Sequence, residues 1–365
     1  MYFRSLQVFR GIAAVAVVLY HVNCYLELML KAPRTPFRAF DTKFSMGAWF
    51  FFSLSGFLMA YIIDTSRDRF LQRRLIRIYP TFWAAVGITL LAKIALFDRV
   101  ACPRLIRAAS LLPFGGNVTY PLSIEWTLIY EVFFYFVCAI FATALFHRWF
   151  PAFLACWAGA IVTAQHAFGL PSPMLPGPGL IFLSIFNLLF IMGGLGYHVY
   201  KRLEPTPRAR RLLLLTVCGG VLIYNLNGGS VSIGFFGLGL SFTATIVWGA
   251  LGDRRDKSAP GGSFFEKLGD ASYGLYLIHV PIITCFFFTA NEFMGIHNPT
   301  ILGFVGLVLA LVGGWWFGKF DIALQKTLKR RLSRPRSGEG QGAIPRAHIW
   351  RRPNGLQNPA EAPVV

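Results

Sequence analysis

Long apolar stretches, separated by short clusters of arginine, proline and glycine, set the rhythm of this chain. Residues 9–26, 47–63, 80–97, 124–146, 151–168, 179–200, 232–251, 273–290 and 300–318 are predominantly apolar. Each approaches or reaches the ~20 residues that cross a bilayer as a helix. A weaker stretch runs over 212–225. The pattern predicts an all-α fold, a polytopic integral membrane bundle of about ten transmembrane helices. No polar, small-residue cleavage region follows the first apolar run, so that run is expected to stay as a permanent anchor.

Composition agrees. The chain is 55% hydrophobic and only 14% charged, against roughly 25% charged residues in ordinary globular domains. Much of its surface must therefore face something other than water. The net charge of +19 comes from 35 Lys+Arg against 16 Asp+Glu. When connections are assigned alternately to the two sides, the basic residues gather on one. Arg67, Arg69, Arg73, Arg74 and Arg77 fall there, as do Lys201, Arg202, Arg208, Arg210 and Arg211. The positive-inside bias then predicts that both termini are cytoplasmic. The charge is thus explained by topology, and no nucleic-acid partner is expected.

Residues 1–320 read as one transmembrane domain. Residues 321–365 turn basic and then Pro/Gly-rich, and are expected to form a cytoplasmic tail that lies against anionic lipid or stays disordered. The six cysteines, Cys24, Cys102, Cys138, Cys156, Cys218 and Cys285, show neither paired nor metal-ligand spacing, so no metal site is expected.

Ionisable side chains inside a bilayer are costly, so they mark where chemistry is to be sought. Arg10 and His21 lie on the first apolar run. Eleven helical residues turn about 1100°, roughly 20° beyond three full turns, and rise about 16 Å. The two side chains therefore share one helix face, with Arg10 at its cytoplasmic end and His21 deep in the membrane. Glu131 sits about 10 Å inside the fourth run by the same helical rise. That depth matches the depth of His21, so a His–carboxylate pair is geometrically open to them. Thr127, Glu131 and Tyr135 follow at i, i+4 and i+8 and form one polar stripe.

Arg73, Arg74 and Arg77 precede Pro80 in "RRLIRIYPTFW". Guanidinium forks suit phosphate, although an arginine cluster at a cytoplasmic helix end is also ordinary anchoring. In "LGDASYGLYLIHVP", Ser272, Tyr276 and His279 share roughly one face. Taken singly, each of the three reads as a packing residue.

Together these blocks resemble the acyltransferase 3 family of bacterial membrane acyltransferases, and within it the exopolysaccharide O-acetyltransferases. The resemblance rests on "LQVFRGIAAVAVVLYHV", "AWFFFSLSGFLMAYI", "RRLIRIYPTFW", "EWTLIYEVFFY" and "LGDASYGLYLIHVP", which span residues 6–281. It implies that the family's essential Arg and His fall on Arg10 and His21. Its Arg-x-x-Arg element falls on Arg74 and Arg77, leaving Arg73 outside. Its Trp and Glu fall on Trp126 and Glu131, and its Ser-Tyr-x-x-Tyr element on Ser272, Tyr273 and Tyr276.

The expected activity is O-acyl transfer, most simply acetyl transfer, at the bacterial inner membrane. The donor is acyl-CoA from the cytoplasm and the acceptor a hydroxyl of an exported polysaccharide or glycolipid. Arg10, Arg74 and Arg77, helped by Arg73, would hold the CoA phosphates. His21 would act as base or acyl carrier, oriented by Glu131, with Trp126, Tyr135, Ser272, Tyr273 and Tyr276 in support. A polysaccharide transporter or flippase would share the hydrophobic profile but would not consume CoA. A scaffold subunit of an export complex gives no reason for Arg10 and His21 to share a face.

Overall fold

The computed structural model describes residues 2–32, 35–97, 104–116, 118–226, 231–255 and 262–333. Within them the chain is helical and contains no strand: α1 (Arg4–Leu30), α2 (Thr42–Thr65), α3 (Phe70–Phe97), α4 (Leu105–Ser110), α5 (Glu125–Phe141), α6 (Phe150–Phe168), α7 (Asn187–Arg202), α8 (Pro207–Leu226), α9 (Val231–Arg255), α10 (Phe264–Glu292) and α11 (Pro299–Ser333). Among the described residues, α1, α2, α3, α8, α9, α10 and α11 are long and apolar enough to cross a bilayer. The chain is a multi-pass membrane protein. Cys102 and residues 334–365 lie outside the described residues.

Two of the expected spans are shorter helices: α5 has 17 residues and α7 has 16, whereas α6, with 19, fills its expected span. α7 is short because residues 179–186 form turns instead of its first helical turns. The Pro-rich run before it removes backbone donors and disfavours helical geometry. The Asn187 amide donates to the Ile181 carbonyl at 2.6 Å and ties that turn to the helix start.

α3 begins ten residues before the predicted span and passes through Pro80. A proline removes the donor that would serve the carbonyl four residues earlier. The carbonyl in question, Ile76 O, accepts from Gln325 Nε2 on α11 at 3.1 Å. In lipid such a group has no water to turn to, so a neighbouring helix must satisfy it. Residues 321–333, read above as the start of a tail, are therefore continuous with α11, and Gln325 is part of the packed bundle.

The central contacts are α10 with α11 and α1, α2 with α7, and α8 with α9. Lipid offers no hydrophobic drive for helices to associate, so close approach through small residues substitutes for it. At the α1–α10 crossing a Cβ on Gly11 would meet the Phe265 carbonyl oxygen at 2.5 Å, and one on Gly269 would clash with the Gln7 carbonyl. Around this spine the aromatic core is dense: Phe52 stacks on Phe190 at 4.5 Å, and Phe190 in turn on Phe134 at 4.7 Å.

Gly269→Val is expected to destabilise the bundle by about 1–3 kcal/mol, since the new atoms would press on backbone that cannot yield. Thermal unfolding of the detergent-solubilised protein measures it, with Gly262→Ala, where the added atom meets nothing within 4 Å, as the neutral control.

A candidate active site split between two cavities

Five helices, α1, α2, α3, α5 and α10, contribute to two adjoining cavities. The first, about 140 Å³, is lined by Arg10 of α1, Ser55 of α2, Arg74 and Arg77 of α3, Thr127, Glu131 and Tyr135 of α5, and Ser272, Tyr273 and Tyr276 of α10. The second, about 430 Å³, is lined by His21, Tyr20, Ser45, Trp49, Tyr120, Ser123, Trp126 and Tyr276. Ala48 and Tyr276 line both cavities. They form the partition between an arginine cavity and a histidine cavity.

In the arginine cavity, Arg10 donates from Nη2 to Ser272 Oγ at 3.0 Å. The Nε atoms of Arg10 and Arg74 are buried and have no hydrogen-bond partner among the described residues. A buried donor left unpaired costs roughly 1–3 kcal/mol. Two such donors stand on cations at one cavity wall.

Arg77 is differently engaged. Its Nη1 donates to both oxygens of Asp321 at 2.8 and 2.7 Å, and Asp321 also accepts from Thr81 Oγ1 at 2.7 Å. The Asp321 side chain is wholly buried. The Arg77 guanidinium lies 4.8 Å over the Tyr273 ring, and the Tyr273 hydroxyl donates to the Ile78 carbonyl at 2.9 Å. Arg77 thus lines the cavity but is held by α11, and it latches α3 to α11. Arg73 does not line the cavity. It is exposed and pairs with Asp68 at 3.0 Å, in the connection before α3.

Glu131 accepts a hydrogen bond from the Tyr135 hydroxyl at 2.5 Å and sits in the field of Arg10, Arg77 and Arg74. The expected pairing of Glu131 with His21 is not what the structure shows. The carboxylate lines the arginine cavity and the imidazole lines the histidine cavity. Equal depth on two helices says nothing about azimuth, and the carboxylate faces the arginine side, where the Tyr135 hydroxyl donates to it. The partition itself is fastened by a 2.7 Å hydrogen bond between the Tyr276 hydroxyl and Thr127 Oγ1.

His21 turns Nδ1 toward the Val17 carbonyl at 2.9 Å and toward Nε2 of His279 at 3.1 Å. His279 is fully buried, with its own Nδ1 2.7 Å from the Tyr276 carbonyl. Trp126 helps wall the histidine cavity and meets Phe52 edge to face at 5.9 Å. Of the expected residues, Arg10, Arg74, Arg77, Glu131, Tyr135, Ser272, Tyr273 and Tyr276 converge on the first cavity, and His21 and Trp126 on the second.

Asp321 and the contact of His279 with His21 were not foreseen. An aspartate just past a membrane span, and a histidine within an apolar one, were the signals available.

The Arg77–Asp321 latch is expected to behave as a buried pair. Arg77→Ala should cost about 3–5 kcal/mol by leaving Asp321 unpaired. Arg77→Ala with Asp321→Ala should recover part of that loss in a double-mutant cycle on thermal stability.

Comparison with known proteins agrees with this arrangement. A family model described as an acyltransferase domain matches residues 3–319. The chain is 28% identical over 247 residues to the exopolysaccharide production protein ExoZ of Rhizobium meliloti (strain 1021), an alignment covering 63% of this chain and 73% of that protein. No solved structure matches. Acyl transfer, and not transport alone, is what these matches support. With the match running through every helix that builds the two cavities, the chain belongs to the acyltransferase 3 family and is a membrane O-acyltransferase.

Proposed function

We propose that the protein transfers an acetyl group from cytoplasmic acetyl-CoA to a hydroxyl of an exported polysaccharide or glycolipid at the bacterial inner membrane. One observation carries the reading: a cavity with two unpartnered arginine donors shares the wall formed by Ala48 and Tyr276 with a cavity lined by the site histidine. A phosphate-bearing donor on one side and a hydroxyl acceptor on the other would meet at that wall. Similarity to an exopolysaccharide production protein supports an exported polysaccharide as the acceptor class. The histidine cavity is the roomier of the two and is walled by Tyr20, Trp49, Tyr120 and Trp126 together with Ser45 and Ser123. Apolar walls with a few placed hydroxyls suit a sugar ring.

In this reading Arg10 and Arg74 hold the phosphates of CoA through their free donors, while Arg77 shapes the cavity from its latch on Asp321. Glu131, held by Tyr135, offsets part of the positive charge of the arginine cluster. The thioester reaches past Ala48 and Tyr276 toward His21. As the acceptor hydroxyl oxygen attacks the thioester carbonyl, His21 takes the hydroxyl proton. The carbon–sulfur bond then breaks, and the imidazolium returns that proton to the leaving thiolate, so that CoA departs as the free thiol. Positioned acid–base catalysis of this kind is worth roughly 10²–10⁴-fold.

The reading is tested with membranes supplied with labelled acetyl-CoA and the cell's own surface polysaccharide. His21→Ala should lower kcat by about 10²–10⁴-fold; unchanged transfer would rule out this role for His21. Arg74→Ala should raise the KM for acetyl-CoA by about 10- to 100-fold, the value of a hydrogen bond to a charged group, with kcat little altered. An unchanged KM would make Arg74 an anchor only.

A further inference from the structure

We infer that His279 is a positioning residue that holds His21 in the tautomer able to act as base, a role that rests on the acyl-transfer reading of His21 above.

A backbone carbonyl can only accept. His279 Nδ1 lies 2.7 Å from the Tyr276 carbonyl, so that nitrogen carries a proton. In neutral His279 the other nitrogen, Nε2, is then a bare acceptor. It faces Nδ1 of His21 at 3.1 Å. The same Nδ1 lies 2.9 Å from the Val17 carbonyl, which again demands a proton there. Two acceptors of independent origin therefore assign one tautomer to His21: Nδ1–H, with the lone pair on Nε2. Each ring's second nitrogen is set by the bond the first one makes.

Geometry reinforces the assignment. The two imidazoles meet edge to face, with centroids 4.8 Å apart. His279 is fully buried, so no solvent competes for its acceptor nitrogen. Its surroundings are the His21 ring and, 5.7 Å away, the Tyr276 ring. Glu131, the group expected to orient His21, lines the other cavity. When His21 accepts a proton on Nε2, its Nδ1–H becomes a stronger donor to Val17 O and His279 Nε2, and the imidazolium is stabilised without a carboxylate. His279 itself touches neither substrate nor donor; it acts through His21.

The test compares two amides with the native ring in kinetic assays of acetyl transfer. His279→Gln places an amide oxygen near the position of Nε2 and can accept from His21. His279→Asn reaches only to the position of Nδ1, which keeps the bond to Tyr276 O but leaves His21 without its second acceptor. The inference expects His279→Asn to lose about 10- to 100-fold in kcat, a part of the total worth of a positioned base. The KM for acetyl-CoA should stay unchanged, and His279→Gln should retain kcat within a few-fold. Equal kcat in wild type and His279→Asn overturns it, and so does equal loss in His279→Gln and His279→Asn, which would mark a packing role. His21→Ala run alongside separates the two levels. If His21→Ala transfers acetyl normally, the reading of His21 fails. If His21→Ala is inactive while His279→Asn is unimpaired, only the positioning role fails.

Discussion

The register between α1 and α10 is the constraint on which the rest of the site depends. Gly11 meets Gly269 at the crossing, and His21 meets His279 further along. Both pairs are separated by the same interval in sequence, so the two helices run parallel and stay in step over ten residues, about 15 Å of rise. Arg10 bonds Ser272 one turn from the glycine contact. A slip of one residue would rotate a helix by about 100° and remove the arginine, the serine and both histidines from their partners together. Backbone approach at glycine, the usual adhesive of membrane helices, here also sets the spacing between the arginine end and the histidine end of the site.

Charge is distributed to match. Three arginines crowd one cavity, and two carboxylates temper them in different ways: Asp321 binds Arg77 directly, and Glu131 stands in the field of all three. The outcome is unequal. Arg77 is committed to structure, whereas Arg10 and Arg74 keep donors free. The histidine cavity takes no carboxylate from this set, and its imidazole is oriented by carbonyls and a second imidazole. The Tyr276–Thr127 hydrogen bond separates the two regimes.

Much of this was legible in the chain, and the parts that were not share a cause. Arg10 and His21 share a face because helical periodicity requires it, and Thr127, Glu131 and Tyr135 all line one cavity for the same reason. Local period says nothing of which helix a face will meet. Glu131 was matched to His21 by depth, but its azimuth sends it to the arginines. Asp321 lies 244 residues from its partner Arg77 and begins the stretch whose basic composition suggested a tail. The reason for the helix to continue is found on α3: Pro80 strips the donor from the Ile76 carbonyl, and Gln325 supplies one. His279 looked like a packing residue because nothing local distinguishes a buried histidine with one carbonyl partner from one with a second imidazole beyond it. The α5 and α7 spans fell short where turns and a proline-rich run replaced helix.

The central claim is that one path joins the arginine cavity to His21 past Ala48 and Tyr276. An experimental structure of the protein with a non-hydrolysable acetyl-CoA analogue tests it most directly. The account predicts phosphate density against Arg10 and Arg74 and the acetyl carbonyl beyond Tyr276, within reach of His21 Nε2. Analogue bound elsewhere, or a thioester end stopped on the arginine side with the partition closed, would contradict it.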